Sequence, residues 1–156
     1  MAHTIFEQDI LIAADPAAVR ARLARLMTNT EELHPFVLWT RHVETTTAPD
    51  GSQVDHYLVR DRMKLGPFTI QFTYKVDMCV TANGELISNA YQSPSIHLYN
   101  HTWCEPEAGG TRVREHIDIT APRMLLKTTY KGAADSHIEM FQKLKTEIEA
   151  EHLSIG

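Results

Sequence analysis

Two ionisable residues, Glu115 and His137, sit where hydrophobic patterning calls for apolar ones. A turn, Glu107-Ala108-Gly109-Gly110, leads into a strand-like run, Thr111–Ile119, which Thr120-Ala121-Pro122 stops. Along that run Val113, Ile117 and Ile119 share one face by the period-two rule, and Glu115 is the fourth member of the face. A helix-patterned segment of about thirty residues follows. Its stripe of Leu126, Tyr130, Ala133, His137, Phe141, Leu144 and Ile148 recurs at steps of three and four and is apolar except for the histidine. If strand and helix face each other, a Glu–His pair is geometrically possible. A carboxyl group there could act as a polar anchor or a general acid/base, its pKa raised by desolvation unless Arg or His⁺ compensates. The plainer readings are a register shift that puts Glu115 in solvent, a buried pair with Arg, and a His137 that is only a satisfied core residue. Asp135-Ser136-His137 is not a hydrolase triad, because adjacent helix positions point about 100° apart.

Other residues could serve the same space. His34 precedes Pro35 at an expected helix–strand junction, as a cavity-mouth residue or simply a cap. His97, Tyr99, His101 and Trp103 share one face of a strand, and Ile96, Leu98, Asn100, Thr102 and Cys104 share the other. Turned inward, the aromatic face lines a pocket with hydrogen-bonding edges; turned outward, it is an exposed patch suited to a partner. Size favours burial of Tyr99 and Trp103. The expected cavity lining is therefore His34, Trp39, Phe72, Tyr74, Tyr91, Tyr99, Trp103, Glu115, Tyr130, His137 and Phe141. Nine histidines invite a metal, yet none has chelating spacing: His97 and His101 would stand roughly 13 Å apart on a strand. No metal site, cofactor motif or glycine-rich phosphate loop is expected, since Gly109-Gly110 precedes a strand and not a helix.

These residues need elements to hold them. Residues 4–13 form an expected first strand, with Phe6, Ile10 and Ile12 on one face. Asp15-Pro16 is a helix-start signal, a capping side chain followed by Pro at the first helical position, and that helix runs to about Met27. A short second helix spans Thr30 to His34. Strands follow at Val37–Thr46, Gln53–Leu65, Phe68–Val80, Glu85–Gln92 and Ile96–Glu105, separated by turn signals such as Asp50-Gly51 and Asn83-Gly84. In Phe68–Val80, Phe72, Tyr74, Val76 and Met78 alternate with polar residues, so Phe72 and Tyr74 are expected on the covered side of the sheet. Consecutive strands with short turns imply an antiparallel meander, and only the long last helix can cover its apolar face. Gly132 is a candidate kink in that helix.

The order and local motifs resemble the START-like (SRPBCC) superfamily, which includes polyketide cyclase/dehydrase-like proteins. The carriers are Ile12-Ala13-Ala14-Asp15-Pro16 with Val19, Leu33-His34-Pro35, Gly109-Gly110-Thr111-Arg112-Val113, and the long C-terminal helix. The resemblance covers the whole chain as one domain, 1–156. It implies an α+β helix-grip fold: a curved antiparallel sheet of about seven strands around the long helix, two short helices after the first strand, and a cavity that often holds an apolar molecule. It does not imply one chemistry, because the fold hosts binders, cyclases, hydrolases and co-chaperones.

Composition narrows the classes. A length of 156 residues suits one domain, with 43% hydrophobic and 22% charged residues. Net charge is −5 and the Lys and Arg are scattered, so a nucleic-acid partner is not expected. No membrane-spanning run and no signal peptide are visible, which points to the cytoplasm. Cys79 and Cys104 read as reduced core residues. The leading function is binding of an apolar or aromatic small molecule, lipid- or polyketide-like. The alternatives are an aromatase/cyclase or dehydratase using Glu115 and His137, and a co-chaperone-like partner module. Oligomeric state is left open.

Overall fold

The computed structural model describes residues 1–155, without the side chains of Met27, Lys64, Leu65, Ser154 and Ile155. Its elements are β1 (Ala2–Ile12), α1 (Pro16–Thr28), a 3₁₀ turn (Thr30–Glu32), β2 (Val37–Thr47), β3 (Gln53–Leu65), β4 (Phe68–Val80), β5 (Leu86–Gln92), β6 (Ile96–Glu107), β7 (Gly110–Ala121) and α2 (Arg123–Ile155). The seven strands form one antiparallel sheet in the order β1-β7-β6-β5-β4-β3-β2. This is the α+β helix-grip architecture. The second short helix is only a 3₁₀ turn, and Leu33 already leaves helical geometry. Pro35 keeps the turn from extending, since it disfavours α conformation in His34, the residue before it. α2 runs as one helix through Gly132 for 33 residues, about 50 Å.

Local chemistry places the ends. The Asp15 side chain accepts from the Ala18 N–H at 3.0 Å and Pro16 opens α1. At the β6–β7 turn, Gly110 has φ of +147° and presses on the Ile12 carbonyl; an added Cβ would lie 2.0 Å from that oxygen. Only glycine allows this approach. Beside it the Thr111 hydroxyl donates to the Ala14 carbonyl at 2.8 Å, tying β7 to the entry of α1.

The core is unevenly distributed. One cluster joins Ile12, Val19, Leu23, Val113, Met140, Phe141, Leu144 and Ile148, and a second joins Phe6, Ile117, Ile119, Ala133 and Ala134. Both lie where α2 rests on β1 and β7. The third, Val37, Tyr57, Val59 and Val76, belongs to β2–β4 and contains no helix residue. Cys79 and Cys104 are free but only half-buried, so neither is the fully enclosed core residue expected.

Candidate functional site

Where the sheet leaves α2, two adjoining chambers open. The outer one holds about 330 Å³. Its walls come from Asp61 and Met63 of β3, Ile70, Phe72 and Tyr74 of β4, Ala90 and Gln92 of β5, and Ile96 and Leu98 of β6. The small face of α2, Thr128, Thr129, Gly132, Ala133 and Ser136, closes the other side. Exposed Ile70, Ser93, Pro94 and Thr128 mark where it meets solvent. The inner chamber, about 140 Å³, is lined mainly by Leu23, Leu26, Val59, Val76, Met78, Leu86, Met140 and Phe141. His34, Tyr74, Ser88, Ala90, Asn100 and His137 line both and form the waist between them.

A buried charge pair stands at that waist. Glu115 is 2% exposed. Its Oε1 accepts from Gln8 Nε2 at 2.8 Å, and its Oε2 accepts from Asn100 Nδ2 at 2.7 Å and His137 Nδ1 at 2.9 Å. The Thr102 hydroxyl donates to Asn100 Oδ1 at 2.8 Å and fixes that amide. Register explains the assembly: Gln8 and Thr102 are the cross-strand partners of Glu115, and Asn100 lies two residues from Thr102 on the same face. Burial pushes the Glu115 carboxyl up, but the His137 charge and three donated hydrogen bonds outweigh it and hold the group below the usual carboxylate range. Burial likewise pulls His137 down, and the Glu115 charge and hydrogen bond carry it above the ordinary imidazole value. The pair is carboxylate and imidazolium.

Two more ionisable groups flank it. Burial, then the charges of His137 and Lys143, lower His34 to about 3, so it is neutral. Its Nδ1 accepts the Phe36 N–H at 3.2 Å, and its ring stands edge-on to His137 with centroids 5.5 Å apart. Asp61 is buried on the inner face of β3, and the Tyr74 hydroxyl donates to it at 3.1 Å. Desolvation raises Asp61 to about 6, against the Tyr74 hydrogen bond and the His137 charge. Burial, with the Asp61 charge behind it, raises Tyr74 well above the usual phenol value.

Of the expected lining residues, His34, Phe72, Tyr74, Glu115, His137 and Phe141 border the chambers. Trp39, Tyr91, Tyr99, Trp103 and Tyr130 do not, and each has a physical reason. A register shift between Val37 and Trp39 pairs Val37 with Asp61 but Trp39 with Arg60, which turns the indole to the outer face under the Arg41 guanidinium. In β6, Leu98 pairs with Ile119 and Thr102 with Glu115, so the even-numbered residues face inward and Tyr99 and Trp103 face outward. Tyr91 pairs with His97 and stacks on it outside, at 5.0 Å. Tyr130 lies edge-on to Phe6, 38% exposed.

Sequence reasoning missed Asp61, Asn100 and Gln8. The signal that singled out Glu115 was available for Asp61: Tyr57, Val59 and Met63 share its face, and the carboxyl interrupts them. Gln8 similarly interrupts Phe6, Ile10 and Ile12. Among the described residues, no three His, Cys, Asp or Glu side chains gather as a metal site.

No family model matches the sequence. No protein of curated function matches it either. Solved structures do share the architecture. The di-domain ARO/CYC StfQ from the steffimycin biosynthetic pathway superposes with a TM-score of 0.71 at 14% identity, over 96% of this chain and 52% of that one. This chain therefore spans about half its length. TTHA0849 from Thermus thermophilus gives 0.64 at 16% identity over 96% and 99% of the two chains. A START superfamily protein from Mycobacterium smegmatis gives 0.61 at 13% identity over 96% and 99%. The chain shares the helix-grip fold of these structures. Among the described residues, no helix is long and apolar enough to cross a membrane.

Proposed function

We propose that the protein binds an apolar or aromatic small molecule, lipid- or polyketide-like, between the sheet and α2, as one START-like binding domain. One observation carries this. The outer chamber of about 330 Å³ is walled by apolar side chains, while the buried charge beside it is already paired within the protein. That volume lies in the range of small-molecule sites, which combine apolar walls with a few placed polar groups. A paired Glu115 supports binding over catalysis, whereas an unpaired carboxyl with a raised pKa would support the reverse. A filled core with exposed His97, Tyr99 and Trp103 would support a partner module, and the two chambers leave this core unfilled.

The second reading is an aromatase/cyclase or dehydratase. Its support is the second nitrogen of His137, which makes no hydrogen bond among the described residues while Glu115 holds the first. In that reading His137 exchanges the proton and Glu115, enclosed by its donors, orients the ring. StfQ, described as an ARO/CYC, has the same fold, but fold does not carry chemistry.

The test is native mass spectrometry of the protein purified from its own host, beside Gly132→Leu. A Cβ on Gly132 meets nothing within 4 Å, and Gly132 lines the outer chamber. Leucine there fills space without backbone strain. A co-purified small molecule on the parent protein that is lost from the stable variant supports binding. No adduct, and no uptake of any apolar probe in vitro, overturns it.

A further inference from the structure

The waist between the chambers holds three polar atoms with no hydrogen-bond partner among the described residues: Nε2 of His34, Nε2 of His137 and the Ser88 hydroxyl. All three residues line both chambers. The protons can be assigned from their partners. His34 Nδ1 accepts the Phe36 N–H, so its proton sits on Nε2. His137 Nδ1 donates to Glu115 at 2.9 Å, and as an imidazolium it carries a second N–H at Nε2. The waist therefore offers two imidazole N–H groups and a hydroxyl that can donate, and it requires an acceptor from the ligand.

Size and charge narrow that acceptor. The inner chamber, about 140 Å³ and walled mainly by side chains such as Leu23, Leu26, Val76 and Phe141, matches the roughly 150 Å³ apolar cavity that takes one benzene. The outer chamber is more than twice as large. A ligand carboxylate is disfavoured, because the carboxylates of Glu115 and Asp61 already flank the single imidazolium.

We propose that the ligand is a neutral molecule in which a carbonyl oxygen joins one six-membered apolar ring to a larger apolar part. The ring occupies the inner chamber, the oxygen accepts from His34 and His137 at the waist, and the remainder fills the outer chamber. This rests on the binding reading and names its ligand class.

The experiment displaces a neutral apolar fluorophore, 1-aminoanthracene, with two probes of the same shape. Chalcone carries a phenyl ring, a carbonyl and a styryl group; 1,3-diphenylpropene lacks the oxygen. A hydrogen bond to a charged donor makes chalcone about tenfold to a hundredfold tighter. His34→Asn keeps an acceptor for the Phe36 N–H and removes the Nε2 donor, and His137→Gln removes the imidazolium. His137→Gln, which removes the charged donor, should bring the two probes to within about threefold of each other, and His34→Asn, which removes a neutral donor, should narrow the gap by about threefold, while diphenylpropene binding holds. Replacing the phenyl on the carbonyl by naphthyl should weaken binding at least about tenfold, because the inner chamber is one ring in size. Equal displacement by the two probes, or naphthyl binding as tight as phenyl, overturns the ligand class and leaves the binding reading intact. Failure of the fluorophore and of both probes to bind overturns the two together.

Discussion

The two ends of α2 treat the same sheet differently. From Met140 to Ile148 the helix presents Met140, Phe141, Leu144 and Ile148, all buried with residues of β1, β7 and α1, with Met140 and Phe141 also walling the small inner chamber. From Leu125 to Ser136 it turns Thr128, Thr129, Gly132 and Ser136 toward β3–β6, and space remains between them. Large apolar side chains close most of one half, and small ones leave the other open. Packing density is what separates them: a well-packed interior leaves few voids larger than a water, so a chamber of about 330 Å³ is a built feature of the open half. Glu115 and His137 stand on the boundary, where the packed half supplies their rigid setting and the open half supplies access.

The largest effect expected from this contrast is in truncation. Phe141→Ala in the closed half should cost about 3–5 kcal/mol by urea denaturation. Ile70→Ala, at the 40% exposed rim of the open half, should cost below about 1 kcal/mol. Tyr130→Ala should also cost less than Phe141→Ala and leave ligand uptake unchanged, because Tyr130 packs on Phe6 outside the chambers. Comparable losses at Phe141 and Ile70 would remove the distinction between the halves.

The boundary pair comes next. Glu115→Gln takes the carboxylate away from a buried imidazolium and should cost about 3 kcal/mol near pH 6. The pH dependence follows from the two directions. Glu115 is depressed in the fold, so its contribution is present above about 4.5 and is lost as pH falls through the folded value. His137 is raised, so its contribution is present below about 6.5 and is lost as pH rises through the folded value. The deficit of the variant should therefore be largest between those values. By NMR, His137 should titrate lower in the variant than in the parent. An unchanged His137 titration would mean that the pair does not exist in solution.

How far the sequence discloses this layout depends on which physical rule governs each element. The strict alternation of Phe72, Tyr74, Val76 and Met78 allows one orientation of β4, and the structure has it. Glu115 is legible because it breaks an otherwise apolar face. β6 is harder, since its composition allows either face to be buried. Yet the turn at Ala108-Gly109 pairs Glu107 with Gly110, and counting back from there sets Thr102 opposite Glu115. The turn and the inner-face glutamate together decide which face of β6 lines the cavity; aromatic size alone points the wrong way. Trp39 is not legible, because a bulge is a tertiary accommodation that leaves no periodic trace. The chamber face of α2 is faint for a different reason. A hydrophobic stripe marks where a helix is packed, while an open cavity is marked only by small residues, here Thr128, Thr129, Gly132 and Ser136.

Asp61 sharpens the picture of the open half. Its folded pKa, about 6, is raised above the ordinary 3.8, so the group favours the fold when protonated and works against it when ionised. That stability is fully present below about 3.8 and is lost as pH rises through about 6. Asp61→Asn keeps an acceptor for the Tyr74 hydroxyl and never ionises. It should be more stable than the parent by roughly 2–3 kcal/mol above pH 6, with the gain fading below pH 4. A pH-independent difference would show that Asp61 is not desolvated.

The smallest effect separates the halves most directly, because it adds atoms instead of removing them. Gly132 and Ala134 are two residues apart on α2, so they point to different sides of it. A Cβ on Gly132 meets nothing within 4 Å, whereas Ala134 is buried in the cluster with Phe6, Ile117 and Ile119. Gly132→Ala should therefore stabilise by up to about 1 kcal/mol through helix propensity alone. Ala134→Leu should destabilise by about 1–3 kcal/mol, because extra methylenes forced into a packed core displace their neighbours. The opposite signs are the readout, measured as midpoints of urea unfolding at one pH with unchanged slopes. Ligand uptake supplies the second axis: Gly132→Ala narrows the outer chamber slightly and should weaken binding of a large apolar probe, while Ala134→Leu, outside the chamber, should not. Destabilisation by both substitutions would mean that α2 is packed equally along its length, and the chambers would then be closed in solution.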